Sequence, residues 1–308
     1  MGRSPISAGD KDLPLEEVVA AVPDGATVAL GGWGLFNAPM ALVRALARAG
    51  KKELIVVAPP ASVAPDLLIG AGCVRTVYSV YLSFEHLGRA PHFVRAAESG
   101  ALRVVEFDLT GLAAGLRAAA ASLPWYPIPD LGTDLQRVNA DWYRALPGAD
   151  SESRSWPRTG DSASPRLLAV PPLAPDVALL HAQQGDFGGN CQLFGGSFLD
   201  PLLAQAARKT YVSVDALVDY DALRRAPAAT KLPEFIVDGV VHLPYGAHPT
   251  GSHGRYEPDE SHLGYYREAA ETTEQFARYL SMFVTSPQTH EAYLDAVGRP
   301  GLRDLHRA

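Results

Sequence analysis

The sequence predicts an α/β fold built on an open, mostly parallel sheet with helices on both faces. Three observations carry this. Short apolar runs rich in β-branched residues alternate with stretches of helical periodicity along most of the chain. Several of those runs, such as 54–57, 176–180 and 210–214, read as buried strands. Polar or glycine-rich clusters follow the runs directly, which in such a sheet is the edge where ligands sit.

In chain order, residues 14–22 open with proline and acids ahead of helically spaced apolar residues, and Pro23-Asp24-Gly25 ends them. Residues 28–30 are a strand, Gly31-Gly32-Trp33-Gly34 a bare loop and 39–46 a helix that stops at Gly50. Strand 54–57, helix 64–72, strand 74–79, helix 91–99, strand 102–107 and helix 112–123 follow, with Pro124 closing the last. Residues 125–134 read as a proline- and glycine-punctuated loop, and 147–165, poor in aliphatic residues, as a surface excursion. The pattern resumes with strands 176–180 and 210–214 around helix 201–207, then 235–237, 239–243 and a long amphipathic stretch over 261–283. One domain is expected over 14–285, with 286–308 as a C-terminal tail. No internal repeat is present.

With 308 residues the chain is long enough to bury a sizeable core in one large domain or two ordinary ones. A net charge of −7, a pI near 5.7 and no basic run of five argue against a nucleic-acid partner. Cys73 and Cys191 are the only cysteines, far apart and without metal-ligand spacing, as in a reducing compartment. No stretch approaches ~18 uninterrupted apolar residues, and 1–17 lacks a signal-like apolar run, so neither a membrane span nor a leader is expected. The expected location is cytoplasmic.

The glycine loop can present backbone N–H groups to an anion at a helix start, because no Cβ blocks approach and positive φ costs glycine little. It can equally be a tight turn packing strand on helix. A dinucleotide site is unlike it: Asn37 stands where the third glycine belongs, and strand 54–57 runs into Ala58-Pro59-Pro60 without a ribose-binding acid. In the cluster over 181–190, His181 and Asp186 do not fill a metal coordination sphere, and Asp186, Gly188 and Asn190 read as a self-bonded turn. His248, in a third polar loop, reads as hydrogen-bonded structure. Glu85, between apolar residues after a strand, would have a raised pKa if buried, as a substrate contact or a capped structural acid. G-x-S-x-G, H-E-x-x-H, C-x-x-C and G-x-x-x-x-G-K are all absent.

Taken together these stretches resemble the A (alpha) subunit of the family I coenzyme A transferases, in the group of glutaconate CoA-transferase and its actinobacterial relatives. The glycine loop with Pro39-Met40-Ala41-Leu42-Val43-Arg44 is similar to the family's N-terminal loop. Ser83-Phe84-Glu85-His86-Leu87-Gly88-Arg89-Ala90-Pro91-His92-Phe93 is similar to its G-F-E-x-L-G-x-A-P-x-F segment, with Ser83 for the usual glycine. Leu123-Pro124-Trp125-Tyr126-Pro127 leading to Gly132-Thr133-Asp134-Leu135, the 181–190 cluster and Gly246-Ala247-His248-Pro249-Thr250 with Tyr256 and Asp259 follow in family order.

The resemblance implies an open α/β fold, a partner in the form of a CoA-transferase B (beta) subunit, and coenzyme A as substrate with no tightly bound cofactor. Its ping-pong chemistry runs through a glutamate of the B subunit, between an acyl-CoA and a carboxylic acid. Gly31, Gly32 and Gly34 are the expected oxyanion loop. Trp33, Leu35, Phe36, Asn37 and Glu85 are the expected substrate contacts, the apolar ones implying a bulky or apolar acyl group. His181, Asp186, Gly188, Asn190 and His248 are expected to be structural, and no metal is expected. Two alternatives accompany this reading. A CoA-dependent ring-opening hydrolase would have a glutamate in the A subunit just after the aspartate that follows the strand, where this chain has Leu109 after Asp108. A non-catalytic sugar-phosphate-binding domain would share the general fold.

Overall fold

The computed structural model describes residues 10–130, 132–146 and 167–306. Its strands are β1 (Thr27–Leu30), β2 (Leu54–Ala58), β3 (Val74–Ser79), β4 (Arg103–Glu106), β5 (Tyr126–Pro129), β6 (Arg144–Ala145), β7 (Leu167–Val170), β8 (Val177–Gly185), β9 (Cys191–Gln192), β10 (Lys209–Leu217), β11 (Thr230–Leu232) and β12 (Gly239–His242). Its helices are α1 (Leu15–Ala20), α2 (Met40–Arg48), α3 (Val63–Gly70), α4 (Pro91–Glu98), α5 (Leu109–Ala120), α6 (Leu135–Val138), α7 (Asp200–Ala206), α8 (Tyr220–Leu223), α9 (Glu260–Ala269), α10 (Thr273–Leu280), α11 (His290–Val297) and α12 (Arg299–Asp304). The excursion expected over 147–165 lies outside the described residues.

Strands in the order β4-β3-β2-β1-β8-β10-β12 pair in parallel. From β1 the chain steps outward through β2, β3 and β4, whereas from β8 it steps the other way through β10 and β12. The strand order therefore reverses between β1 and β8, and a crevice opens beyond their C-terminal ends. The short strands β9 and β11 continue antiparallel from the end of β8.

Successive side chains point to opposite faces, so each central strand feeds two cores. Val28, Leu30, Leu54, Val56, Val177 and Leu179 join one core with α2, α3 and α9. Ala29, Val57, Ala178 and Leu180 join the other with α5, α7 and the small sheet β5-β7-β6. Helices thus cover both faces, as the apolar runs predicted. Among the described residues no helix is long and apolar enough to cross a membrane.

Three expectations change. The stretch over 125–134 is not all loop: Tyr126–Pro129 forms the edge strand β5, where proline is tolerated because no partner needs its missing N–H. The amphipathic stretch over 261–283 breaks after α9, where Thr272 accepts a hydrogen bond from Gln275 N–H and caps α10 as a new helix. Residues 290–304, set apart in the sequence as a tail, form α11 and α12, and Tyr293, Leu294 and Leu302 are buried in the same core as α2.

Candidate active site

The loop after β1 lies at the reversal of strand order. Trp33 and Phe36 exchange both backbone hydrogen bonds (2.9 and 3.0 Å) around Gly34 and Leu35, a two-residue hairpin that starts with Gly34 at φ +56°. The N–H groups of this loop are largely committed inside the protein. Gly31 donates to Leu179 O (2.9 Å), Gly32 to Asp200 Oδ1 (2.9 Å), Gly34 to Pro60 O (2.9 Å) and Asn37 to Gly251 O (2.8 Å). From Gly31 to Asn37, only the Leu35 N–H lacks an acceptor among the described residues. The oxyanion role expected of Gly31, Gly32 and Gly34 is therefore closed to their own N–H groups; those glycines shape the turn, and the donor left over is Leu35. The anion site expected at the helix start is also closed, because Ala41 N–H donates to Gly246 O (2.8 Å) beneath the loop after β12.

Beside the turn opens a cleft of about 390 Å³, lined by Trp33, Gly34, Leu35 and Phe36 on one side and by Glu85, Glu257 and Glu260 among others across it. Trp33 stacks on Phe198 (centroids 4.5 Å apart) and Phe36 on His253 (4.2 Å), which fixes two aromatic walls. Glu85 is exposed and left-handed at φ +54°, not the buried acid that the sequence allowed for. Its carboxylate lies over the turn: a Cβ built on Gly34 would stand 2.6 Å from Glu85 Oε1. Of the expected substrate contacts, Trp33, Leu35, Phe36 and Glu85 meet in this cleft.

Asn37 does not join them. It is buried, and its Oδ1 accepts from Gln183 Nε2 (2.8 Å), part of a polar network between β8 and β10. Gln183 also donates to Ser252 Oγ (2.9 Å), which donates to Asp215 Oδ2 (2.6 Å). Asp215 is 3.2 Å from His181 Nε2, and His181 Nδ1 is 3.0 Å from Ser213 Oγ. His181 is thus a strand residue of this network rather than part of the turn that follows. Burial alone would raise the Asp215 pKa, but the His181 charge and hydrogen bonds from His181 and Ser252 outweigh it and hold the carboxyl below its usual range. Asp215 and Ser213 escaped the sequence reading. The available signal was period two: Tyr211, Ser213 and Asp215 share a face of β10, opposite Leu179, His181 and Gln183 on β8.

The turn after β8 closes on itself. Asp186 Oδ1 accepts Asn190 N–H (2.8 Å) and Oδ2 accepts Asn190 Nδ2 (2.9 Å), while Asn190 Oδ1 accepts Glu234 N–H (3.0 Å). Gly188 leaves room, since a Cβ there would stand 3.3 Å from both Asp186 Oδ1 and Glu234 Oε2. Asp186→Ala or Asn190→Ala is expected to lower stability by ~1–3 kcal/mol with turnover per folded molecule unchanged. Denaturant unfolding alongside rate measurement checks this.

His248 is buried, with Nδ1 2.7 Å from Tyr293 OH and Nε2 3.1 Å from Asp259 Oδ2. His248, Asp259 and His262 bring ligand-type atoms within 4.8 Å of one another, a convergence the sequence reading did not register. Their bonds are largely taken: Asp259 also accepts His262 N–H, and His262 Nε2 is 2.9 Å from Tyr279 OH. The buried Arg44 guanidinium donates to His248 O (2.7 Å) and lies over the Tyr293 ring, so fixed positive charge stands beside the cluster and works against a bound cation. The cluster fits a role in fixing α9 and α11 against α2.

Asp200, wholly buried at the start of α7, has the faintest trace in the sequence, since 168 positions separate it from Gly32. Burial pushes its pKa up to about 7, against the lowering effect of the Gly32 hydrogen bond. With an unfolded value near ~3.9, the native state binds the extra proton between about pH 4 and 7, so stability falls as pH rises through that window. Asp200→Asn keeps a neutral acceptor for Gly32. It is expected to flatten that part of the pH–stability curve and to raise stability near pH 8 by on the order of 1–3 kcal/mol. Melting curves of both proteins from pH 4 to 8 check it.

Residues 14–243 match the model of the family described as Coenzyme A transferase. The chain is 34% identical over 292 residues to the cholesterol ring-cleaving hydrolase IpdA subunit of Rhodococcus jostii, covering 92% of this chain and 95% of that one. It is 32% identical over 277 residues to the A subunit of 3-oxoadipate CoA-transferase from Pseudomonas knackmussii, covering 88% and 93%. It is 28% identical over 301 residues to the A subunit of glutaconate CoA-transferase from Acidaminococcus fermentans, covering 96% and 94%. The crystal structure of the glutaconate enzyme from that organism superposes with a TM-score of 0.85 over 96% of this chain and 95% of the other.

Proposed function

Because the chain belongs to the coenzyme A transferase family, we infer that it is the A subunit of a heteromeric enzyme that moves coenzyme A between an acyl-CoA and a carboxylic acid. The observation that carries this is the Trp33–Phe36 turn, whose one N–H without an acceptor among the described residues is that of Leu35, a residue on the apolar wall of a cleft at the reversal of strand order. A thioester carbonyl held there meets a donor that strengthens as its oxygen gains charge.

A glutamate supplied by the B subunit makes the attack on the thioester carbonyl, the thiolate of coenzyme A leaves, and an acyl anhydride forms. The thiolate then attacks the glutamyl carbonyl, releases the first acid and leaves a glutamyl-CoA thioester. The acceptor acid reverses both steps. Each addition builds an oxyanion, and loss of one donor to it typically costs about 10²–10³ in rate.

Partner docking is supported by apolar side chains exposed along one edge of the sheet. Tyr81, Leu109, Phe187 and Tyr220 follow β3, β4, β8 and β10 respectively, and each is more than a third exposed. Trp33, Leu35 and Phe36 favour an apolar acyl group.

The second reading is ring-opening hydrolysis, favoured by the likeness to the Rhodococcus jostii protein. Against it, Asp108 accepts Gly111 N–H (2.6 Å) as the cap of α5, and the next side chain is the apolar Leu109. An acyl-CoA panel assayed with the reconstituted complex separates the two. Transfer to an added carboxylic acid is expected. Opening of the ring of a cyclic-diketone acyl-CoA by water, with the thioester kept and no dependence on acceptor, would favour the hydrolase.

A further inference from the structure

A second cleft borders the same 83–93 segment, and the chemistry above does not use it. It measures about 400 Å³ and is lined by Arg89, Pro91, Val94, Arg95, Arg267 and Glu271. Three guanidinium groups face one carboxylate there, and none of the three forms an ion pair among the described residues. Arg95 Nη2 lies 3.0 Å from His92 Nδ1, its one hydrogen-bond contact among the described residues. Arg267, half-buried, lies over Gly88, whose φ of +107° and missing side chain admit it: a Cβ there would stand 3.1 Å from Arg267 Nη2.

We propose that this arginine cleft binds the phosphate groups of the coenzyme A substrate, an inference that rests on the CoA-transfer reading above. Guanidinium forks match phosphate oxygens two at a time, which suits a polyphosphate better than a lone carboxylate. The two clefts share two elements. Glu260 borders the acyl cleft and Arg267 the arginine cleft, and both belong to α9. Seven residues are about two helical turns, so these side chains share a face ~10 Å apart. Glu85 and Arg89 divide between the same two clefts from the facing segment.

Charge fixes the orientation. Glu85, Glu257 and Glu260 repel phosphate from the acyl cleft, while the arginines attract it, and the pantetheine arm is long enough to join the two.

The test uses the Arg89→Ala/Arg267→Ala double variant and two readouts. In the reconstituted complex, KM for acyl-CoA is expected to rise at least ten-fold, while kcat/KM for the matching acyl-pantetheine, which lacks the phosphates, stays as in the parent. Equal losses on both thioesters, or on neither, would overturn the proposal. So would failure to assemble with the partner while KM for acyl-CoA is kept, which would make the cleft a docking patch for an acidic partner surface.

Calorimetry on the full chain reads the site without turnover. 3′,5′-ADP is expected to bind more tightly than pyrophosphate or inorganic phosphate and to lose at least ten-fold in affinity in the double variant. Inorganic phosphate binding as tightly as 3′,5′-ADP would overturn the coenzyme A assignment. If the parent complex turned over no thioester, the CoA-transfer reading would fail on its own, and the 3′,5′-ADP titration would still decide the phosphate site.

Discussion

Gly32→Ala is expected to leave little folded protein, whereas Gly34→Ala is expected to fold and to lose at least ten-fold in turnover. At φ +88° a Cβ on residue 32 would stand 2.7 Å from Ala38 N, Asn37 C and Phe36 O. Those are backbone atoms of the same tight turn, and no rotamer change relieves them. The left-handed backbone adds roughly 1–2 kcal/mol for a residue with a Cβ. Moving the turn would also break the bond from Gly32 N–H to Asp200 and leave a buried carboxyl without its donor.

Residue 34 differs because its added methyl meets only the tip of a flexible side chain, Glu85 Oε1 at 2.6 Å. Glu85 can swing away, so the fold survives with modest strain. The cleft does not stay as it was: the displaced carboxylate and the strained turn shift the Leu35 N–H, the donor the chemistry needs. Soluble yield and melting temperature, measured beside exchange rate for both variants, check the contrast. A Gly32→Ala protein with normal melting, or a Gly34→Ala protein with parental turnover, would contradict it.

From sequence these two glycines look alike, and that marks where legibility ended. The alternation of apolar runs and amphipathic stretches pointed to the parallel sheet, because a strand covered on both faces must be apolar throughout. The glycine loop stood out in the sequence as bare backbone between a strand and a helix, and the structure sets it at the reversal of strand order. What stayed hidden depends on register. Asp215 meets His181 only because β10 pairs with β8 residue for residue, bringing Ser213 opposite His181. Asp200 meets Gly32 because α7 packs beneath β8, a contact that no local pattern encodes. The fate of the loop's N–H groups was equally unreadable, since their acceptors at Pro60, Leu179 and Gly251 come from three distant segments.

The larger consequence concerns the nucleophile, which this chain is expected to lack. A glutamyl thioester of the kind the reaction passes through needs a carboxylate that can reach a thioester carbonyl beside the Leu35 N–H. Glu85 borders the acyl cleft but is an exposed side chain packed over Gly34. Glu106 is exposed at the end of the sheet-edge strand β4, and Asp108 is held by Gly111 N–H as a helix cap. Asp200 is buried and the Asp215 side chain is 8% exposed, and they are bonded to Gly32, His181 and Ser252. The purified chain alone is therefore expected to exchange no coenzyme A and to form no adduct, while the complex shows ping-pong exchange.

The most direct measurement is mass spectrometry of the reconstituted complex after acyl-CoA treatment and trapping with hydroxylamine or borohydride. The label is expected on a single glutamate of the B subunit, with this chain unmodified. A label on any carboxylate of this chain, whether Glu85, Glu257 or Glu260 at the cleft or Glu106 or Asp108, would contradict the account and place a self-contained active site in this chain.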